Sequence, residues 1–308
     1  MSSIAQLLNA WLRRVEKPAL ARAKDPKDMR RRFERNARFF FHGPLGTKKI
    51  WHKWPVEGRL LEVLELVPPD ETDAAVLFYI HGGGFVFGSP NTHAALLAQI
   101  ARRTKLRALL PRYSLAPEAP FPAALDDVRA AWDKLSADPS RPKRIVLGGD
   151  SAGGALALSL LGTLLADGAA LPQAVFCFSP LTDMSFSGES FRTNAGVEAV
   201  LPSERADEMV QMYVGACAID DPRVSPLFAD FSGAPPIWIS VGNTEILADD
   251  ARRMVARIRA QGVAVHFEEA ADLPHVWPIF HNILPEARES LDFLADWLKQ
   301  LLDLPIEN

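Results

Sequence analysis

From Ala74 onward, short runs rich in β-branched and aromatic residues alternate with helical patterns. Val76–Ile80, Arg107–Leu110, Arg144–Leu147, Ala174–Phe178, Ile237–Val241 and Val263–Phe267 are apolar on both of their alternating faces. Between them, Thr92–Arg103, Pro122–Leu135, Ala152–Leu165, Ala248–Gln261 and Pro285–Leu302 carry helical spacing. Strands buried on both faces need helices above and below them. The pattern therefore predicts an α/β protein with a mostly parallel sheet. Upstream, Ile50–Val56 and Leu60–Val67 alternate apolar with polar residues on either side of Glu57-Gly58, which predicts an added antiparallel pair and about eight strands in all.

Two segments fall outside this rhythm. Leu181–Pro236 has helical patches, including Ser203–Tyr213 with Ser203 as the expected N-cap, and no strong strand, so it reads as an insertion above the sheet. At the N-terminus Ile4, Leu7, Leu8, Trp11, Leu12 and Val15 form the stripe of an amphipathic helix with one buried face. Arg13–Arg38 then carries a local charge of +7 in a chain of net charge −4, and the part after Pro26 reads as a second helix. Such a stretch can serve an acidic membrane surface or nucleic acid. With no aromatic residue among its charges before Phe33, it reads instead as a solvated helical face against an acidic body.

With 48% hydrophobic and 23% charged residues in 308, the chain can bury a large core, which excludes disorder and a disulfide-stapled miniprotein. No apolar run reaches the ~20 residues of a membrane span. Cys177 and Cys217 lie in apolar surroundings without metal-ligand spacing and read as reduced, core or near-core residues. The arginines follow the first apolar stretch instead of preceding it, unlike a secretory leader, so a cytoplasmic location is expected.

The strand ending at Leu147 runs into Gly149-Asp150-Ser151-Ala152-Gly153-Gly154, and a helix starts at once. A serine on so sharp a strand-to-helix turn projects from the sheet top, and the helix N-terminus offers free N–H groups to a developing oxyanion. Alone, the G-x-S-x-G pattern recurs by chance in about one chain in ten of this length, and Ser151 could simply be an N-cap. A second motif, His81-Gly82-Gly83-Gly84-Phe85, follows the buried strand Val76–Ile80. Its consecutive glycines let backbone N–H groups approach a bound oxyanion.

A serine nucleophile needs a base, and the base a partner that fixes its tautomer. Downstream of Ser151 stand His266, inside an expected strand, His275, in the loop Leu273-Pro274-His275-Val276-Trp277, and His281. The loop position favours His275, with His281 as the alternative. For the acid, Glu245 stands just past the strand Ile237–Val241, whereas Asp249 and Asp250 read as first-turn helix residues.

Four blocks carry a family resemblance: His81–Gly88; Tyr113-Ser114-Leu115-Ala116-Pro117-Glu118 running to Asp127; Gly149–Gly154; and Pro274-His275-Val276-Trp277. From Ile50 to the C-terminus the chain resembles the hormone-sensitive-lipase-like carboxylesterases, bacterial family IV of the α/β-hydrolases. The resemblance implies an α/β-hydrolase fold with catalytic residues Ser151, Glu245 and His275 and an oxyanion hole of the Gly83, Gly84 and Ala152 amides. It also implies a catalytic domain of residues 47–180 and 237–308 under a cap built from 1–46 and 181–236, with Phe186, Phe191, Met209, Met212 and Tyr213 as candidate pocket or cap-core residues. No cofactor or metal is implied. The expected partner is a short-to-medium acyl ester, with a homodimer left open and neither nucleic acid nor integral membrane association expected.

Three departures stand out. Glu245 replaces the family's usual aspartate. Ser114 and Arg112 differ from the usual tyrosine block. Val276-Trp277 follows the histidine where glycine is common, which predicts a reshaped pocket. Amide, formamide or lactone hydrolysis with the same machinery stays open, as does a non-catalytic receptor on the same scaffold.

Overall fold

The computed structural model describes residues 2–56 and 58–305. Met1, Glu57 and residues 306–308 lie outside them, so one half of the expected Glu57-Gly58 turn and the two chain ends are not placed. The strands are β1 (Lys48–Val56), β2 (Arg59–Val67), β3 (Val76–Ile80), β4 (Arg107–Pro111), β5 (Ile145–Asp150), β6 (Ala174–Phe178), β7 (Ile237–Gly242) and β8 (Val265–Ala270). They form one sheet in the order β1-β2-β4-β3-β5-β6-β7-β8. β1 pairs antiparallel with β2, and β2 with β4; every later pairing is parallel. The strand order is that of the expected sheet, but β8 starts two residues later than its apolar run suggests and, as the outer strand, is half-buried or exposed along its whole length instead of buried on both faces.

The helices are α1 (Ser3–Trp11), α2 (Lys17–Arg22), α3 (Pro26–Phe40), α4 (Pro90–Thr104), α5 (Ala123–Ala137), α6 (Ala152–Ala166), α7 (Ser190–Thr193), α8 (Ala206–Tyr213), α9 (Ala248–Ala260) and α10 (Pro285–Leu301), with one π-helical turn, Leu12–Glu16, joining α1 to α2. Two-residue alternation divides the central strands between two cores. Val76, Phe78 and Ile80 of β3 face α5, α6 and α9, whereas Leu77 and Tyr79 face α4 and α10. α6 is buried over most of its length because it lies between the sheet and α5, which explains why Ser159 and Thr163 are its only polar side chains. None of the described helices is long and apolar enough to cross a membrane.

Two expectations fail locally. Ser203 does not cap a helix: it opens a 3-10 turn, Ser203–Arg205, and α8 starts only at Ala206, so Pro202 sets the entry in place of a hydroxyl. Of the six residues of the N-terminal stripe, only Leu8 and Leu12 are buried. Ala5, Leu8, Asn9 and Leu12 pack down, with Asn9 Nδ2 donating to the Asp272 carbonyl at 2.7 Å, while Ile4, Leu7, Trp11 and Val15 are exposed. The helix meets a single narrow ridge around Leu273, Trp277 and Leu284, and the π-helical turn rotates the face beyond it.

Part of the basic stretch is committed to the protein itself. Arg30 donates to Glu118 and to the carbonyls of Val86 and Ala116, and Arg32 pairs with Glu16 at 2.7 Å. Arg13 and Lys17 donate to carbonyls of the segment between α7 and α8. Cys177 is buried and Cys217 half-buried, both free.

Candidate active site

The turn from β5 to α6 holds Ser151 at φ 53°, ψ −121°, a left-handed conformation that costs a non-glycine residue roughly 1–3 kcal/mol. The glycines flanking it make this possible by close approach: a Cβ on Gly149 would collide with the Gly153 carbonyl, and one on Gly153 with the Ile80 carbonyl. Phe85, Ser179 and Val276 are also left-handed, at φ 61°, 46° and 51°, so backbone strain gathers around one end of the sheet. Ala152 is the first residue of α6, and its N–H has no intrahelical acceptor.

The glycine loop after β3 is clamped from behind. Asp150 accepts from the Gly82 N–H at 3.0 Å and the Tyr79 hydroxyl at 2.8 Å through Oδ1, and meets His93 Nε2 at 3.2 Å through Oδ2. Burial works against its ionisation, but the facing His93 and Tyr79 bring its pKa below the ordinary value. His81 stacks on Tyr113 at 4.3 Å, and the Tyr113 hydroxyl donates to the His81 carbonyl at 2.8 Å. Burial, aided by His93, pushes the His81 pKa down to about 3, so its ring is a neutral spacer. Gly83 and Gly84 then sit at φ 121° and 57° on the wall of the same cavity as Ser151.

On the far side, His275 follows β8 in an irregular loop. Its Nδ1 lies 2.6 Å from Glu245 Oε2. The other carboxylate oxygen, Oε1, accepts from the Gly242 N–H at 2.6 Å and the Ser179 hydroxyl at 2.8 Å, and Ser179 in turn accepts from the Val276 N–H at 3.1 Å. This closed set of bonds assigns the proton to Nδ1 and leaves Nε2 as the basic nitrogen. Burial opposes protonation of His275, but the Glu245 charge and hydrogen bond outweigh it and raise its pKa.

The other candidates are held elsewhere. Asp249 accepts from the Ser190 N–H and pairs with Arg252; Asp250 is buried and accepts from the Thr182 and Asp183 N–H groups. Both lie in the first turn of α9, as their spacing suggests, and fasten the segment after β6. His266 stacks on Trp238 with ring centroids 3.8 Å apart, and His281 meets the His42 carbonyl at 3.2 Å.

Ser151, His275, Gly83 and Gly84 line a cavity of about 360 Å³. Its remaining wall is mostly apolar and comes from Leu8 and Leu12, Met29 and Phe33 of α3, and Phe186, Leu201, Met209 and Met212. Of the candidate pocket or cap-core residues, Phe191 packs at a tilt on Phe186, and Tyr213 stacks face to face on Phe85 in the core. Trp277 does not narrow the pocket. It is fully buried under α1, and Val276 is the residue that reaches the cavity. Of the departures in the tyrosine block, Ser114 donates its N–H to Asp127 and Arg112 pairs with Glu62 at 3.0 Å, both away from the cavity wall. Among the described residues no cluster of three or more metal-ligating side chains occurs.

Sequence reasoning left Tyr79, His93, Ser179 and the role of Asp150 unread. Only Asp150 sits inside a motif; the others are brought together by strands and helices far apart in the chain.

A serine at a strand–helix elbow, on a mostly parallel eight-stranded sheet with an antiparallel edge, defines an α/β-hydrolase. A family profile described as alpha/beta hydrolase fold matches residues 77–279. The chain is 36% identical over 235 residues to an acetyl-hydrolase of Streptomyces hygroscopicus, covering 76% of this chain and 79% of that one. It is also 36% identical over 227 residues to an esterase of Acinetobacter venetianus, covering 73% and 75%. A crystal structure of an esterase from the bacterial hormone-sensitive lipase family superposes with a TM-score of 0.89 at 37% identity, covering 98% of this chain and 99% of that one. The chain belongs to the bacterial hormone-sensitive-lipase-like esterase family of α/β-hydrolases.

Proposed function

We propose that the protein is a serine carboxylesterase acting on short-to-medium acyl esters through a Ser151–His275–Glu245 triad and an acyl-enzyme. The observation that carries this reading is the bonded array Gly242/Ser179–Glu245–His275, fixed at a cavity that Ser151, Gly83 and Gly84 also line. In this account His275 Nε2 takes the Ser151 proton as Oγ attacks the ester carbonyl. Glu245 stabilises the imidazolium, and the Gly83, Gly84 and Ala152 amides hold the tetrahedral oxyanion. The imidazolium returns its proton to the leaving alcohol, and water repeats the cycle to release the acid.

The helices before β1 and the segment between β6 and β7 act as the cap, with residues 1–46 and 181–236 covering a catalytic domain of 47–180 and 237–308. A cavity of about 360 Å³ lies near the lower end of the range for small-molecule sites, which supports short-to-medium chains. The test is a kcat/KM profile across p-nitrophenyl esters of increasing acyl length, beside an anilide and a lactone. Preference for a short-to-medium ester supports the reading; a higher kcat/KM on the anilide or lactone replaces it with the corresponding hydrolase.

A further inference from the structure

Glu198 lies between α7 and α8, outside every motif, and is 1% exposed. A carboxylate that deeply buried is retained only where its charge is answered. All of its side-chain contacts are backbone N–H donors: Val200 at 2.7 Å and Leu201 at 3.3 Å to Oε1, and Ile246 at 2.9 Å to Oε2. N–H donors that reach both oxygens hydrogen-bond a carboxylate better than an acid or an amide, and they offset part of the burial that favours its protonated form.

Ile246 is the residue after Glu245. From the same segment Asn194 Nδ2 donates to the carbonyls of Asn243 at 3.0 Å and Glu245 at 2.8 Å. The loop that carries the acid is thus fastened on both sides of Glu245 to one strap, residues 194–201. The N-terminal helices hold the strap from outside: Arg13 donates to the Val197 carbonyl at 2.9 Å, and Lys17 Nζ to the carbonyls of Ala195 at 2.8 Å and Glu198 at 3.1 Å.

We propose that Glu198 is a positioning residue for the His275–Glu245 pair: it pins the acid's loop through the Ile246 amide and adds its carboxylate to the negative charges that act on the imidazole, through a strap tied to the N-terminal helices.

The charges acting on His275 come from three elements: Glu245 after β7, Glu198 from the strap, and Asp150 from the elbow. All are negative, so each favours the imidazolium that forms during acylation. Burial and then the Glu245 charge raise the Glu198 pKa above its ordinary value, and His275 and the N–H donors offset this only in part. Arg13 and Lys17 reach the strap only through its backbone carbonyls.

The test compares kcat, KM and the pH profile of wild type, E198Q, E198D and E245A on p-nitrophenyl butyrate. The inference rests on the Ser–His–Glu reading, and E245A separates the two. E198Q is expected to lower kcat about tenfold with little change in KM, and to move the acid-limb midpoint of kcat/KM down by about half a pH unit, because removing a negative charge makes His275 easier to deprotonate. E198D keeps the charge and returns the midpoint to the wild-type value. Collapse of E245A with an unmoved E198Q midpoint, or an E198Q loss confined to KM, overturns the positioning role alone. Full kcat in E245A overturns the acid assignment and this inference with it. Should E198Q fail to fold, Lys17→Met loosens the strap away from the cavity: kcat falling about threefold at constant KM supports the role, and unchanged kcat contradicts it.

Discussion

Glu245 Oε2 lies 2.6 Å from His275 Nδ1, with both side chains buried and the carboxylate's other oxygen held by Gly242 and Ser179. The bond sets both the orientation and the proton affinity of the ring. As His275 must be neutral to take a proton, and its folded pKa is raised, activity is present above that pKa and lost as pH falls through it. The acid limb of kcat/KM in wild type should therefore have its midpoint above the ~6.5 of free imidazole. Glu245→Gln removes the charge, so the midpoint moves to lower pH while kcat drops by about 10²- to 10⁴-fold. A pH–rate series on a soluble ester checks both.

Asp150 holds the glycine loop from behind through the Gly82 amide, Tyr79 and His93. Asp150→Asn exchanges one acceptor oxygen for a donor and frees the loop, so kcat should fall about 10²-fold with KM nearly unchanged, the signature of interactions made only in the transition state. Tyr79→Phe leaves the amide and His93 contacts and should cost less than tenfold. Steady-state kinetics of the two variants separates this from a loss of substrate binding, which would appear in KM.

Met209 sits over the glycine loop: a Cβ at Gly84 would stand 3.7 Å from Met209 Cγ. It and Met212 are unbranched side chains on the cavity wall. Met209→Ala opens room beside the acyl chain and should shift the preferred ester toward longer acyl groups. Each added buried methylene is worth about 0.8 kcal/mol, a factor of about four in kcat/KM. A p-nitrophenyl ester series on the two proteins reads the shift directly.

The central strands were legible because strands covered on both faces are apolar throughout, and the elbow and glycine loop because each needs its small residues at fixed spacing; β8, at the sheet edge, is half-exposed and its bounds were shifted. His275 and Glu245 could be selected by chain order and by their position past strand ends. The residues that hold them could not. Ser179 and Glu198, like Tyr79 and His93 behind Asp150, act across gaps of 48 to 97 residues, where no local period or motif records a contact. The N-terminal stripe misled for a related reason. Helical spacing marks which side chains share a face, but the width of the ridge they meet decides how many are buried, and here Leu8 and Leu12 find it while Leu7 and Val15 do not.

The proposed mechanism stands or falls on Ser151 forming the acyl-enzyme. Rapid mixing of wild type and Ser151→Ala with p-nitrophenyl butyrate tests it most directly. Wild type should release a burst of p-nitrophenolate equal in amount to the enzyme, and Ser151→Ala none, since His275 and the oxyanion donors remain but nothing is left to be acylated. A stoichiometric burst retained in Ser151→Ala would contradict the account.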